Sequence, residues 1–145
     1  MEKKKYSTEY RVIYADIDAM GIVYHSNYID LFERGRTEFL RQIGYPYKAL
    51  ESIPAWLPCT EVRCEYKNPA RYDDLLEIFC WPSKLTYATV RMDYEIKRKA
   101  TGELLVTGHT IHAFTDSELK PIRAKKVVPE LYELMSQIAA NNFNI

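Results

Sequence analysis

Asp16 and Asp18 stand two residues apart at the head of Asp-Ile-Asp-Ala-Met-Gly-Ile-Val-Tyr-His-Ser-Asn-Tyr, residues 16 to 28 of the chain. A carboxylate can attack an electrophilic carbon, activate a water, or bind the backbone of its own loop. The residues after the pair favour chemistry. Gly21 gives the chain freedom to turn sharply, His25 offers a ring and a backbone N–H, and either Ser26 or Asn27 has the side chain of a helix N-cap. A helix N-terminus carries unpaired N–H groups and partial positive charge, so it can polarise a carbonyl and stabilise the oxyanion that forms when that carbonyl is attacked.

The flanking patterns explain how such a loop is held. Upstream, Tyr6, Thr8, Tyr10, Val12 and Tyr14 alternate with Ser7, Glu9, Arg11 and Ile13, the period of a strand with one buried face. Downstream, Tyr28, Leu31, Phe32, Gly35, Phe39 and Ile43 recur at helical spacing and stop at Gly44, so an amphipathic helix with a glycine cap is expected. Tyr45 to Leu50 reads as a short helical turn. Further strands are expected at Thr60 to Tyr66, at Leu75 to Trp81 (apolar enough to be covered on both faces), at Ala88 to Lys97 and, after a turn at Ala100-Thr101-Gly102, at Glu103 to Thr115. Pro129 opens a terminal helix, expected to be short, with Leu131, Leu134, Met135 and Ile138 as its apolar stripe. The order is α+β, an antiparallel five-stranded sheet wrapped on one long central helix.

Composition narrows the function. A chain of 145 residues fits one domain, 1–145, with a genuine core. Twenty basic and twenty acidic residues cancel, so no overall field recommends nucleic acid or an anionic membrane. The three cysteines, Cys59, Cys64 and Cys80, form neither an even disulfide framework nor a CxxC pair, as expected of free thiols in the cytoplasm. The basic start, Met1 to Lys5, leads into a strand pattern and not an apolar segment, against a signal peptide, and no run suits membrane insertion. His109 and His112, three apart in a strand, face opposite ways and suggest packing or hydrogen bonding, with no metal site.

The stretch from Tyr14 to Glu38, Tyr-Ala-Asp-Ile-Asp-Ala-Met-Gly-Ile-Val-Tyr-His-Ser-Asn-Tyr-Ile-Asp-Leu-Phe-Glu-Arg-Gly-Arg-Thr-Glu, closely resembles the hotdog-fold acyl-CoA thioesterases of the 4-hydroxybenzoyl-CoA type, above all the branch associated with the Tol-Pal gene cluster. Glu65 to Asp74 also looks like that branch. The resemblance implies a hotdog fold, an acyl-CoA substrate, hydrolysis of the thioester without metal or redox cofactor, and a homo-oligomer, dimer or homotetramer, with pockets between subunits. It places Asp18 on the catalytic carboxylate, Asp16 on a structural companion, and His25 on a position that is histidine in the Tol-Pal branch. Tyr24, Ser26, Asn27 and Tyr28 around His25 are the expected substrate-binding residues. Glu33 is a reserve acid on the helix, with an ion pair to Arg34 or Arg36 as its other fate. The arginine-rich loop that holds coenzyme A phosphates in the benzoyl branch is replaced here by Ser83-Lys84-Leu85-Thr86-Tyr87. An acyl carrier protein is therefore an alternative partner, and a non-catalytic hotdog that binds or scaffolds is the reading from another class.

Overall fold

The computed structural model describes residues 6 to 143, so the basic start from Met1 to Lys5 lies outside the described residues. Strand β1 (Ser7–Arg11) leads through a 3-10 turn (Tyr14–Asp16) into helix α1 (Asn27–Gln42) and the short α2 (Tyr47–Glu51). Strands β2 (Cys59–Tyr66), β3 (Leu75–Leu85), β4 (Thr89–Arg98) and β5 (Leu104–Ala113) come next, then α3 (Ala124–Val127) and α4 (Pro129–Phe143). Among the described residues, the five strands form one antiparallel sheet in the order β1-β3-β4-β5-β2, which leaves β2 with an open edge. This is the α+β architecture that the element order implies, and it agrees with the hotdog fold that the resemblance implies.

Alternation sets the inner face of the sheet. Leu76, Ile78 and Cys80 of β3, with Val90, Met92, Tyr94 and Ile96 of β4, are buried, each worth about 1.5–3 kcal/mol where a large apolar side chain is fully covered. α1 lays Leu31, Phe32, Gly35 and Phe39 against them. Gly35 is there for clearance, because a Cβ at that position would lie 2.7 Å from Ile78 Cγ2. Gly108 does the same on β5, where a Cβ would meet the Phe32 ring at 2.6 Å and the Arg63 carbonyl at 2.4 Å. That gap lets Phe32 stack on Tyr94 at 4.3 Å between ring centroids.

Several boundaries differ from the sequence reading. The first strand stops at Arg11, not Tyr14, because the Asp16 carboxylate accepts the Ile13 N–H at 2.9 Å and closes a turn. Ser83 to Leu85 are not a loop but the end of β3, which continues through an irregularity between Pro82 and Lys84. The strand expected to be covered on both faces is buried on one and half-buried on the other. The terminal helix is not short: α4 has 15 residues against 16 in α1, and the two share the inner face, so α1 is not a lone central helix. All three cysteines are free. Among the described residues no helix is long and apolar enough to cross a membrane.

Candidate active site

The loop between β1 and α1 is held mainly by its own backbone. Asp18 N–H donates to the Ile22 carbonyl and Gly21 N–H to the Asp18 carbonyl, both at 2.9 Å, a tight turn that Gly21 completes with φ +76°. Val23 N–H reaches the Ala70 carbonyl at 2.9 Å and pins the loop to the segment before β3. The two aspartates are used differently. Asp16 Oδ2 accepts the Tyr10 hydroxyl at 2.7 Å and the Ile13 N–H at 2.9 Å. Burial, then the adjacent Asp16 carboxylate, push the Tyr10 hydroxyl up to about 12, which keeps it a donor. Asp18 Oδ1 accepts only the Met20 N–H, at 2.8 Å, and its Oδ2 accepts no hydrogen bond among the described residues.

The helix start carries no side-chain cap. Sequence alone leaves Ser26 and Asn27 as alternatives; Ser26 holds the cap position without a cap hydrogen bond, with helical φ and ψ. Asn27 instead donates from Nδ2 to the Asp16 carbonyl at 2.9 Å, which also accepts Tyr24 N–H at 2.9 Å. Both candidates are thereby diverted, Ser26 by its backbone angles and Asn27 by Asp16. The N–H groups of His25 and Ser26 donate to nothing among the described residues, and that of Tyr28, in the first turn, has no intrahelical acceptor by construction. The result is a carboxylate with a spare oxygen on one side of a short loop and spare N–H groups on the other.

His25 is exposed, its ring tilted against Tyr24 at 4.3 Å, and its carbonyl accepts the Tyr66 hydroxyl at 2.8 Å. The end of β2 therefore braces this loop. Tyr28 is buried, with its hydroxyl accepting Ala70 N–H at 3.3 Å and its ring edge-on to Tyr66. Tyr24 and Ser26 face solvent. Glu33 is exposed on α1, while Arg34 lies over the Tyr10 ring and Arg36 turns inward.

A cavity of about 500 Å³ opens farther along α1. Exposed Glu51, Trp56 and Cys59 stand at its mouth, and buried Val90, Met92 and Met135 form its floor. One wall is polar. Arg36 Nη1 lies 3.0 Å from the Tyr94 hydroxyl, that hydroxyl 2.6 Å from Thr110 Oγ1, Thr110 Oγ1 2.9 Å from His112 Nε2, and His112 Nδ1 3.0 Å from the Leu57 carbonyl. A carbonyl can only accept, so Nδ1 carries the proton. Burial chiefly, with Arg36 adding to it, holds the His112 pKa below the usual value despite the Leu57 bond, so Nε2 is an acceptor. Thr110 then donates to His112, Tyr94 to Thr110, and Arg36 to Tyr94. Sequence reasoning gives His112 as a hydrogen-bonding residue but misses the chain it ends. The signals are Thr110 and His112 two apart on one strand face, and Arg36 one turn beyond Phe32 on the buried side of α1.

The pattern that describes the thioesterase-like superfamily matches residues 12–135. The chain is 32% identical to YneP of Bacillus subtilis (strain 168) over 123 residues, 84% of this chain and 88% of that protein. It is 33% identical to the acyl-CoA thioesterase YbgC of Haemophilus influenzae over 127 residues, 85% of this chain and 90% of the relative. In three dimensions it is similar to a DHNA-CoA thioesterase from Staphylococcus aureus, with TM-score 0.87 and 30% identity over 95% of this chain and 93% of that one. With its sheet, its loop and its sequence all of that kind, the chain belongs to the thioesterase-like superfamily and has the hotdog fold.

Proposed function

We propose that this protein hydrolyses an acyl-CoA thioester to a carboxylic acid and free coenzyme A, with Asp18 as the carboxylate that acts on the carbonyl carbon. Relatives named as acyl-CoA thioesterases, YbgC among them, support both the thioester hydrolase reading and the acyl-CoA substrate. The observation that supports Asp18 most is its uncommitted oxygen on a loop that also leaves the His25 and Ser26 N–H groups free. Those groups and the start of α1 are the donors for the oxygen of the attacked carbonyl. Tyr24, Ser26 and the His25 ring contact the substrate, while Asn27 and Tyr28 hold the loop that presents it.

Two routes share this geometry. An Asp18 oxygen adds to the carbonyl carbon, the C–S bond breaks with the electron pair leaving on sulfur, and water then opens the mixed anhydride. Otherwise Asp18 takes a proton from a water that adds to the same carbon. Thiolate leaves readily, so neither route needs a strong acid.

The working unit is two copies joined through β2. That strand has one neighbour, an unpaired outer edge, and Val62 and Tyr66 exposed at 41% and 50%. Such an edge is a template for another chain. Antiparallel pairing of β2 with its copy about a two-fold axis brings the Tyr66 end of one chain beside the Cys59 end of the other. Because Tyr66 holds the His25 loop and Cys59 lines the cavity mouth, each Asp18 loop then faces the partner's cavity. The free thiols favour a reducing compartment, the cytoplasm.

Thiol release from short, medium, long and aromatic acyl-CoAs tests the reading. Wild type is expected to turn over part of the panel, and Asp18→Asn to lose on the order of 100-fold or more in kcat while still binding substrate and folding normally. Single-turnover hydrolysis in heavy-oxygen water separates the routes, since an anhydride opened at the aspartyl carbon puts the first solvent oxygen into the protein. Full activity in Asp18→Asn would refute the assignment.

A further inference from the structure

Arg36 is the anomaly of the cavity. It is half-buried, lines a space that is otherwise largely aliphatic, and among the described residues has no carboxylate within ion-pair distance. Its one polar partner is the neutral Tyr94 hydroxyl, itself already the donor to Thr110. A guanidinium has five N–H donors and one is used here. The neutral His112 cannot relieve the charge: Nδ1–H is given to Leu57 and Nε2 is occupied by Thr110. Glu51, the acid on the lining, is exposed at the mouth, whereas Arg36 is anchored to the buried Tyr94, which is 1% exposed. The inner wall therefore holds a fixed positive charge with spare donors, facing space that a ligand enters from the Trp56 side.

We infer that the cavity selects acyl groups whose far end carries a carboxylate, with Arg36 as the specificity-determining residue that receives it. This rests on the reading of the protein as an acyl-CoA thioester hydrolase whose Asp18 loop faces the partner's cavity, and adds that the acyl group enters that cavity. Val90, Met92, Met135 and Leu40 cover the methylene chain, and the guanidinium meets the terminal carboxylate in the two-pronged geometry that arginine and carboxylate share. The chain from Tyr94 to Leu57 fixes the guanidinium, so little side-chain freedom is lost on binding. A plain alkyl end would instead bury the remaining donors of Arg36 without an acceptor, and that cost is the basis of discrimination.

The test compares kcat/KM for adipoyl-CoA, ω-hydroxyhexanoyl-CoA and hexanoyl-CoA, and for suberoyl-CoA against octanoyl-CoA. Wild type is expected to favour the carboxyl-tipped thioester over the plain one by roughly tenfold or more at one of the two lengths, the range of a hydrogen bond to a charged group. Arg36→Met is expected to reverse that preference while still hydrolysing the plain thioester, and Arg36→Lys to keep its sign with a smaller ratio. Should the methionine variant fail to fold, Arg36→Gln, which retains a donor for Tyr94, carries the same expectation. A wild-type preference for plain chains at both lengths, a preference for the hydroxyl tip over the carboxyl, or an equal loss on all substrates in Arg36→Met overturns the inference. Calorimetric binding of the same thioesters to Asp18→Asn separates it from the hydrolase reading. If wild type hydrolyses none of them, the hydrolase reading falls, while binding selectivity for adipoyl-CoA that disappears when Arg36→Met is added upholds the role of Arg36; its absence sinks that role.

Discussion

The start and the middle of α1 solve opposite problems. At its start, the loop from Asp16 to Asn27 is held by backbone hydrogen bonds and by the side chains of Asp16, Asn27 and Tyr66, while other groups are left under-used: Asp18 with a spare oxygen, His25 and Ser26 with spare donors among the described residues. Farther along, the chain from Arg36 through Tyr94, Thr110 and His112 to Leu57 engages its side chains end to end, and only the guanidinium keeps unused donors. On the proposed function, the loop that meets a changing charge is kept open, and on the proposed role of Arg36, the region that recognises a fixed group is closed except where that group arrives. The difference predicts that damage to the packed groups behind the second region is read in stability, and damage to the open groups of the first in activity.

The largest stability effect belongs to Gly108→Ala. The added Cβ meets the Arg63 carbonyl at 2.4 Å and the Phe32 ring at 2.6 Å, and neither can yield cheaply, one being backbone of the paired strand and the other stacked on Tyr94. The loss expected is about 1–3 kcal/mol, read by urea denaturation, with weakened near-ultraviolet ellipticity as the stack opens. An unperturbed midpoint would mean that the inner wall is looser than its contacts imply, and the contrast between the two regions would fade.

Next comes the pair of aspartates, which tests the contrast inside the loop itself. Asp16→Ala strips the acceptor from Tyr10 and Ile13 and is expected to cost about 1–2 kcal/mol, with activity lowered through the loop. Asp18→Asn is expected to shift stability by less than about 0.5 kcal/mol, since it loses charge but keeps an oxygen for Met20. Thermal melts beside thiol-release rates check both. If Asp18 proved the more stabilising of the two, their assigned roles would have to be exchanged.

How much of this is legible in the sequence depends on physical range. Strand alternation and helical spacing are local, and they locate all five strands and both long helices; the loop that carries Asp18 and His25 is legible as a turn feeding a helix because acid, glycine and helix start lie within a few residues. Boundaries fail where a distant or reciprocal bond decides, as when Asp16 takes the Ile13 N–H and ends β1 early, or when Asp16 takes the Asn27 side chain and leaves the helix uncapped. The length of α4 is underestimated because its apolar stripe stops at Ile138 while the helix runs on. The Arg36 chain is illegible for a deeper reason: its members are 58, 16 and 2 residues apart in sequence and meet only once α1 lies on β4 and β5.

A further expected effect is the pH dependence that His112 imposes, and its sign is fixed by the same chain. Burial first, and the Arg36 charge after it, hold the folded His112 below its ordinary value of 6.5, with the Leu57 hydrogen bond opposing them. As pH falls through about 6.5 the unfolded chain takes up the proton and the folded chain does not, so stability is full above that pH and declines with acidification until the depressed folded value is reached. The slope from one such group cannot exceed about 1.4 kcal/mol per pH unit. His112→Gln, whose side-chain oxygen can still accept from Thr110, is expected to lose that increment, so subtracting its denaturation profile from that of wild type between neutral and mildly acidic pH isolates one group. A difference that grows as pH rises toward neutrality supports a neutral His112 with its proton on Nδ1. A difference that runs the other way would mean that His112 is charged in the folded protein, and the donor order from Arg36 to Leu57 would then have to break at Thr110.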